Sequence, residues 1–187
     1  MNATKARLPL VETTTLPEDQ RNLAPPESHI FRTFANCPAG LQQYRGMTKF
    51  IRSDSNLDSR LREMAMIQIG YAANCPYEYT HHIKSGLASG VTDDDIRAIA
   101  DETAGRETPL EPLMKAVLRA TRQLTIGFDV DDETFRTLCQ ALGNDGLMAL
   151  FFSVATYVGT AKLLNSLRVE LEDSYKPYLE RFPIKPG

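Results

Sequence analysis

The sequence is poor in cysteine: Cys37, Cys75 and Cys139 are three residues in 187, odd in number and far apart. They form neither a disulfide framework nor a C-x-x-C pair, so a reducing, cytoplasmic setting is expected. An excess of positive charge is also lacking, with 21 Lys and Arg against 24 Asp and Glu and a formal net charge of −3. Without surplus cations to neutralise phosphates, neither nucleic acid nor an anionic membrane surface is expected as a partner. No apolar run reaches the roughly 18 residues of a membrane span, and MNATKARLPLVETTTLPEDQ has no signal-peptide core. Runs of four to eight β-branched residues bounded by turn signals are missing too, which leaves little basis for strands.

What the chain does have is a 42% hydrophobic and 24% charged composition, enough for one compact core. Prolines collect at both ends, with Pro9, Pro17, Pro25 and Pro26 before residue 27 and Pro177, Pro183 and Pro186 after residue 176. Each removes a backbone donor, so residues 1–27 read as an extended N-terminal arm and residues 176–187 as a C-terminal tail. The arm is either disordered or a strap across its own domain or a neighbouring subunit.

Residues 28–175 carry a helical period almost throughout, which predicts an all-α domain. Helices are expected over 27–34, 40–51, 57–73, 76–89, 93–101, 113–125, 131–142 and 146–171. Asn56 or Asp58 could cap the third, whose apolar residues cover most of its circumference, so it belongs mid-bundle. Asn74-Cys75-Pro76 breaks that helix and starts the next, and Thr92-Asp93-Asp94-Asp95 supplies a capping residue and first-turn acids for the fifth.

Chemistry concentrates on the fourth helix. Cys75, Glu78 and His82 lie at i, i+3 and i+7, within roughly 60° of one another at about 100° per residue. Glu78 sits one turn before His82 and can orient the ring and raise its basicity. Cys75 stands at the helix start, where unpaired amides favour a thiolate or a bound anion. The blander alternative is a surface Glu-His pair beside a cysteine acting as a small buried hydrophobe. Glu63 opens the apolar run Met64-Ala65-Met66-Ile67, where a carboxylate is costly without a partner. Tyr77 and Tyr79 flank Glu78 and could offer hydroxyls to a ligand, whereas His81, about 100° round from His82, reads as a surface or interface residue. His29 is remote and has no paired spacing, so no metal site and no cofactor is expected.

Leu61-Arg62-Glu63, Asn74-Cys75-Pro76-Tyr77-Glu78-Tyr79-Thr80-His81-His82 and Ala88-Ser89-Gly90-Val91-Thr92-Asp93-Asp94-Asp95-Ile96 together resemble the carboxymuconolactone decarboxylase family, which includes the alkylhydroperoxidase D-like (AhpD-like) proteins. The match is strong over residues 57–100 and looser from Ile30 to Leu167. The resemblance implies an all-helical fold, assembly into dimers, trimers or hexamers, and sites near subunit contacts. The peroxidase branch carries a glutamate, a C-x-x-C pair and a histidine, and those places hold Glu63, Cys75, Glu78 and His82 here. Glu78 replaces the second cysteine, so a dithiol-disulfide cycle cannot close within the motif. Tyr77 to His82 instead looks like the Y-E-[WY]-x-x-H pattern of the decarboxylase-like branch.

That resemblance implies a cofactor-free lyase on a small carboxylated or lactone-like substrate, with His82 as proton donor, Glu78 orienting it and Glu63 tuning or relaying the proton. Arg45, Arg52 and Arg62 are possible cations for the substrate. A rival is an oxidoreductase with peroxiredoxin activity, in which Cys75 is the peroxidatic thiol, its pKa lowered by Glu63 and His82, and an external thiol resolves it. The third reading is a non-catalytic homo-oligomeric binding scaffold.

Overall fold

The computed structural model describes residues 6–184, which contain eight α-helices and no strand. They are α1 (His29–Phe34), α2 (Pro38–Lys49), α3 (Ser59–Ala72), α4 (Pro76–Ala88), α5 (Asp93–Thr103), α6 (Pro112–Ile126), α7 (Asp132–Leu167) and α8 (Lys176–Arg181). The all-α expectation holds. Helix α3 is the centre, buried without a break from Arg62 to Gly70, and it packs against α4, α5, α6 and α7.

Local chemistry sets most helix ends. Asp58 caps α3 by accepting the Leu61 N–H at 2.9 Å, Thr92 and Asp95 form a reciprocal capping box on α5, and Asp131 accepts the Thr134 N–H on α7. α3 ends in a Schellman turn. Asn74 takes φ +46°, its N–H donates to the Tyr71 carbonyl, and the Cys75 N–H donates to the Gly70 carbonyl. Pro76 then fills the first position of α4, so three residues reverse the chain and make α3 and α4 an antiparallel hairpin.

Gly70 lets the hairpin close. A methyl group there would lie 2.5 Å from the Tyr79 backbone, a separation that only a parting of the two helices relieves. Gly70→Ala is therefore expected to cost about 1–3 kcal/mol through overpacking. Urea unfolding checks this, and an unchanged midpoint would show that the crossing tolerates a side chain.

Several boundaries differ from the sequence reading. α2 runs on through a π-helical turn at Phe50–Asp54, three residues past the helix end expected at Ile51. The two helices expected over 131–171 are one element, kinked at Gly143 (φ 64°, ψ 179°), and it stops at Leu167 because Arg168 turns left-handed. By length and composition α7 could cross a membrane, with a mean hydropathy of 1.6 over its most apolar 18 residues. More than half of that window is buried against the other helices, as in a core helix.

Neither end is a simple extended arm. Residues 1–5 lie outside the described part, but from Arg7 the N-terminal segment runs over its own chain through two 3-10 turns. The Arg7 N–H donates to the Leu167 carbonyl, the Val11 N–H to the Arg32 carbonyl, and Leu16 and Ala24 bury against Ala35 and Leu41. The C-terminal segment contains α8 and buries Phe182 among Ile96, Ile99 and Met114. Proline here starts a helix, since Pro177 occupies its first turn, where no donor is needed.

Candidate functional site

The hairpin brings Glu63 of α3 against His82 of α4. The His82 Nδ1 lies 2.8 Å from Glu63 Oε2 and its Nε2 lies 3.2 Å from Glu78 Oε2. Arg62 Nε stands 3.4 Å from the other Glu63 oxygen. All four side chains are buried: Glu63 and Glu78 are each 3% exposed, His82 and Arg62 each 8%. Carboxylates facing both ring nitrogens make the imidazolium the form that satisfies the geometry. Two cations then balance two anions, and losing the ring proton would leave a net buried negative charge.

Burial works against a charged His82, but Glu63 and then Glu78 outweigh it and lift its pKa to about 9. Burial likewise pushes Glu63 up, and His82, Arg62 and Arg52 overcome this to hold it below the usual carboxylate value. Tyr157 of α7 packs edge-on to the imidazole, with centroids 4.8 Å apart.

Beside this cluster opens a cavity of about 850 Å³. Glu78 and His82 line it, and Glu63 does not, so Glu63 stands behind the ring and Glu78 in front. Across the cavity α2 and its π turn contribute Tyr44, Arg45 and Arg52, and α7 contributes Tyr157. Burial and the nearby Glu78 keep both tyrosines protonated, as donors. Among the described residues neither Arg45 nor Arg52 lies within 4 Å of a carboxylate, although Arg45 covers the Phe31 ring at 4.4 Å.

The segment after α7 contributes another wall of the cavity through Glu172, Ser174 and Tyr175. Glu172 accepts the Tyr77 hydroxyl at 2.6 Å and the His29 N–H at 2.8 Å, and it lies 3.3 Å from His81 Nε2. Although burial opposes it, these donors hold the Glu172 carboxyl down at about 2. His81 is stacked between Tyr77 and Tyr175, with centroids 4.1 and 3.6 Å away, and donates through Nδ1 to the Tyr77 carbonyl. It is a half-buried wall of the cavity, where the sequence had pointed to surface or interface.

Two expected site residues fall elsewhere. Cys75 precedes the first helical residue with extended backbone (φ −112°, ψ 91°), so helical spacing does not carry its thiol onto the face of Glu78 and His82. It is 1% exposed and does not line the cavity. Burial pushes the thiol up to about 12 despite the Glu78 and Tyr77 amides, so the expected thiolate is disfavoured. Tyr79 is a core residue, 2% exposed and packed against Tyr71, Ile67 and Ile83. Its place opposite Gly70 at the helix crossing turns it away from the cavity that Tyr77 lines.

Sequence reasoning passed over Tyr44, Tyr157 and Glu172. For Tyr157 a signal existed: Ser153, Tyr157 and Thr160 repeat at i, i+4 and i+7 as buried polar residues on an apolar helix. For Glu172, 95 residues from the tyrosine that it binds, no local pattern exists.

Residues 38–123 match the model of the carboxymuconolactone decarboxylase family. No curated protein matches the chain significantly. Among solved structures, one described as the alkylhydroperoxidase AhpD core of an uncharacterized peroxidase-related protein from Ralstonia eutropha JMP134 is 17% identical, with a TM-score of 0.78 over 96% of this chain and 98% of that one. An uncharacterized peroxidase-related protein from Silicibacter sp. TM1040 is 14% identical, with a TM-score of 0.74 over 94% and 95%. A cysteine-to-alanine variant of the debrominase Bmp8, in complex with 2,3,4-tribromopyrrole, is 14% identical, with a TM-score of 0.72 over 88% and 87%. At such identities the neighbours share the fold. Over the matched segment the chain is similar to the carboxymuconolactone decarboxylase family, and as a whole it shares the fold of the alkylhydroperoxidase AhpD core.

Proposed function

We propose that the chain is a cofactor-free lyase that removes carbon dioxide from a small lactone or related acid, with His82 delivering the proton. The observation that carries this reading is an imidazolium held between two buried carboxylates at the wall of a cavity with free guanidinium groups opposite. Arg45 and Arg52 are suited to bind a substrate carboxylate or a carbonyl that gains charge. The bond from carbon to the departing carboxylate breaks, and its electron pair is delocalised into the neighbouring carbonyl as an enolate. His82 then gives its Nε2 proton to that carbon, and Glu78, on the cavity side, returns a proton from solvent. Glu63 fixes the ring through Nδ1, so the orienting role moves from Glu78 to Glu63.

A raised histidine pKa suits this direction of proton flow, since the ring is loaded at neutral pH and its acid form is the one required. Turnover is expected to stay level through neutral pH and decline as pH rises through about 9. The buried, protonated Cys75 gives no support to the thiol peroxidase alternative.

Two assays test the proposal on one preparation: carbon dioxide release from a panel of small lactone acids, and loss of an organic hydroperoxide with excess dithiol. The expected result is decarboxylation that survives Cys75→Ser, with a KM raised tenfold or more by Arg52→Gln. Hydroperoxide turnover above free dithiol that disappears in Cys75→Ser would overturn the reading.

A further inference from the structure

A second cleft, of about 530 Å³, lies between the end of α5, α6 and the first turns of α7 and shares no lining residue with the first. Three cations of α6 line it in one stripe, Lys115, Arg119 and Arg122 at i, i+4 and i+7. The first two have carboxylate partners, Lys115 with Glu107 at 3.2 Å and Arg119 with Asp131 at 3.1 Å. Arg106, also in the lining, pairs with Asp101. Arg122 has none within 4 Å among the described residues, although it is half-buried.

What holds Arg122 is a buried neutral chain. Its Nη1 donates to Gln68 Oε1 at 3.2 Å, Gln68 Nε2 donates to the Thr103 hydroxyl at 3.1 Å, and Thr103 donates to the Ile99 carbonyl at 2.7 Å. Gln68 is fully buried in the middle of α3, where an amide is costly unless it is used. A guanidinium can only donate, so Gln68 turns its Oε1 towards Arg122, and the guanidinium is fixed through one N–H while its others stay available. Burial and the neighbouring Arg119 both disfavour its charge, and Glu102 offsets them in part. Glu102 is itself engaged by the Thr108 hydroxyl, and Glu133 is an exposed acid of the lining with no ion pair.

We propose that this cleft is a second small-molecule site, in which Arg122, anchored by Gln68 and assisted by Arg119, binds the oxyanion group of a carboxylated or phosphorylated metabolite. A planar guanidinium with free N–H groups binds either oxyanion in a forked geometry. The size of the cleft leaves room for the body of a small molecule besides that group. The site is separate from the His82 cavity and does not depend on the proposed lyase activity.

The test is calorimetric titration of the full chain with inorganic phosphate and, separately, with citrate, at constant ionic strength in chloride. An Arg45→Gln/Arg52→Gln background silences anion binding in the larger cavity. One saturable site is expected, and the tighter of the two anions identifies the source chemistry. Arg122→Gln is expected to weaken it at least tenfold. Gln68→Glu keeps the guanidinium but gives it a carboxylate partner, and is expected to abolish binding while circular dichroism confirms the fold. Absence of saturable binding by either anion, or equal affinity in folded Arg122→Gln, overturns the proposal.

Discussion

His82→Gln is expected to reduce decarboxylation of an accepted lactone acid by a factor of about 10²–10⁴, the range that a positioned general acid contributes. Glutamine can still offer an N–H towards Glu78 or Glu63, so hydrogen bonding within the cluster survives in part while the transferable proton is lost. The loss is expected in kcat with little change in KM, because Arg45 and Arg52 stay in place opposite. Steady-state rates across pH 6 to 10 check both points. In the unchanged protein the decline sets in near pH 9, and in the variant the residual rate has no such step. A variant retaining more than a third of the original kcat would remove His82 from the chemistry.

Glu63→Ala is expected to have the largest effect on stability. It removes one member of a buried ion cluster and leaves His82 with Glu78 alone and Arg62 with no carboxylate within 4 Å among the described residues. Breaking such a pair costs about 3–5 kcal/mol, which for a chain of this size lowers Tm by roughly 6–20 °C. The sign of the pH dependence separates this from simple loss of packing. His82 has a folded-state pKa of about 9 against an ordinary value of 6.5, so its contribution is complete below about pH 6.5 and is lost as pH rises through 9. Glu63 is shifted down, so its contribution is present above the ordinary carboxylate range and disappears as pH falls through its lowered value. Glu63→Gln keeps the volume but lowers the His82 pKa, so the alkaline loss of stability moves towards neutral pH. Denaturant unfolding at pH 6, 7.5 and 9 measures it, and an unchanged pH profile in Glu63→Gln would mean that the two side chains are not coupled in solution.

The helical architecture was legible because its determinants are local. Asp58, Thr92 and Asp131 sit where their side chains satisfy free amides at helix starts, and Pro76 stands where a missing N–H costs nothing. The unbroken apolar run of α3 required a surrounding bundle, and the structure provides one. Glu78 and His82 were legible as a pair because helical spacing alone brings them together. The same spacing misled for Cys75, whose backbone is not helical, and for Tyr79, whose side of α4 belongs to the crossing with α3. α8 was missed because proline density reads as extended chain, yet one proline in the first turn of a helix breaks no hydrogen bond.

By itself, then, the sequence determined that this chain is an all-α protein in which Glu78 and His82 share one face of α4, since propensity, capping and period act within a few residues. Whether Glu63 faces His82 was decided by how closely two helices cross, and that depends on the missing side chain of Gly70 opposite the Tyr79 backbone. The cavity and its free arginines arise from the π turn after α2 meeting α7, and the wall at Glu172 from a contact spanning 95 residues. Such contacts are set by three-dimensional packing between distant segments, for which no local period or motif carries a mark.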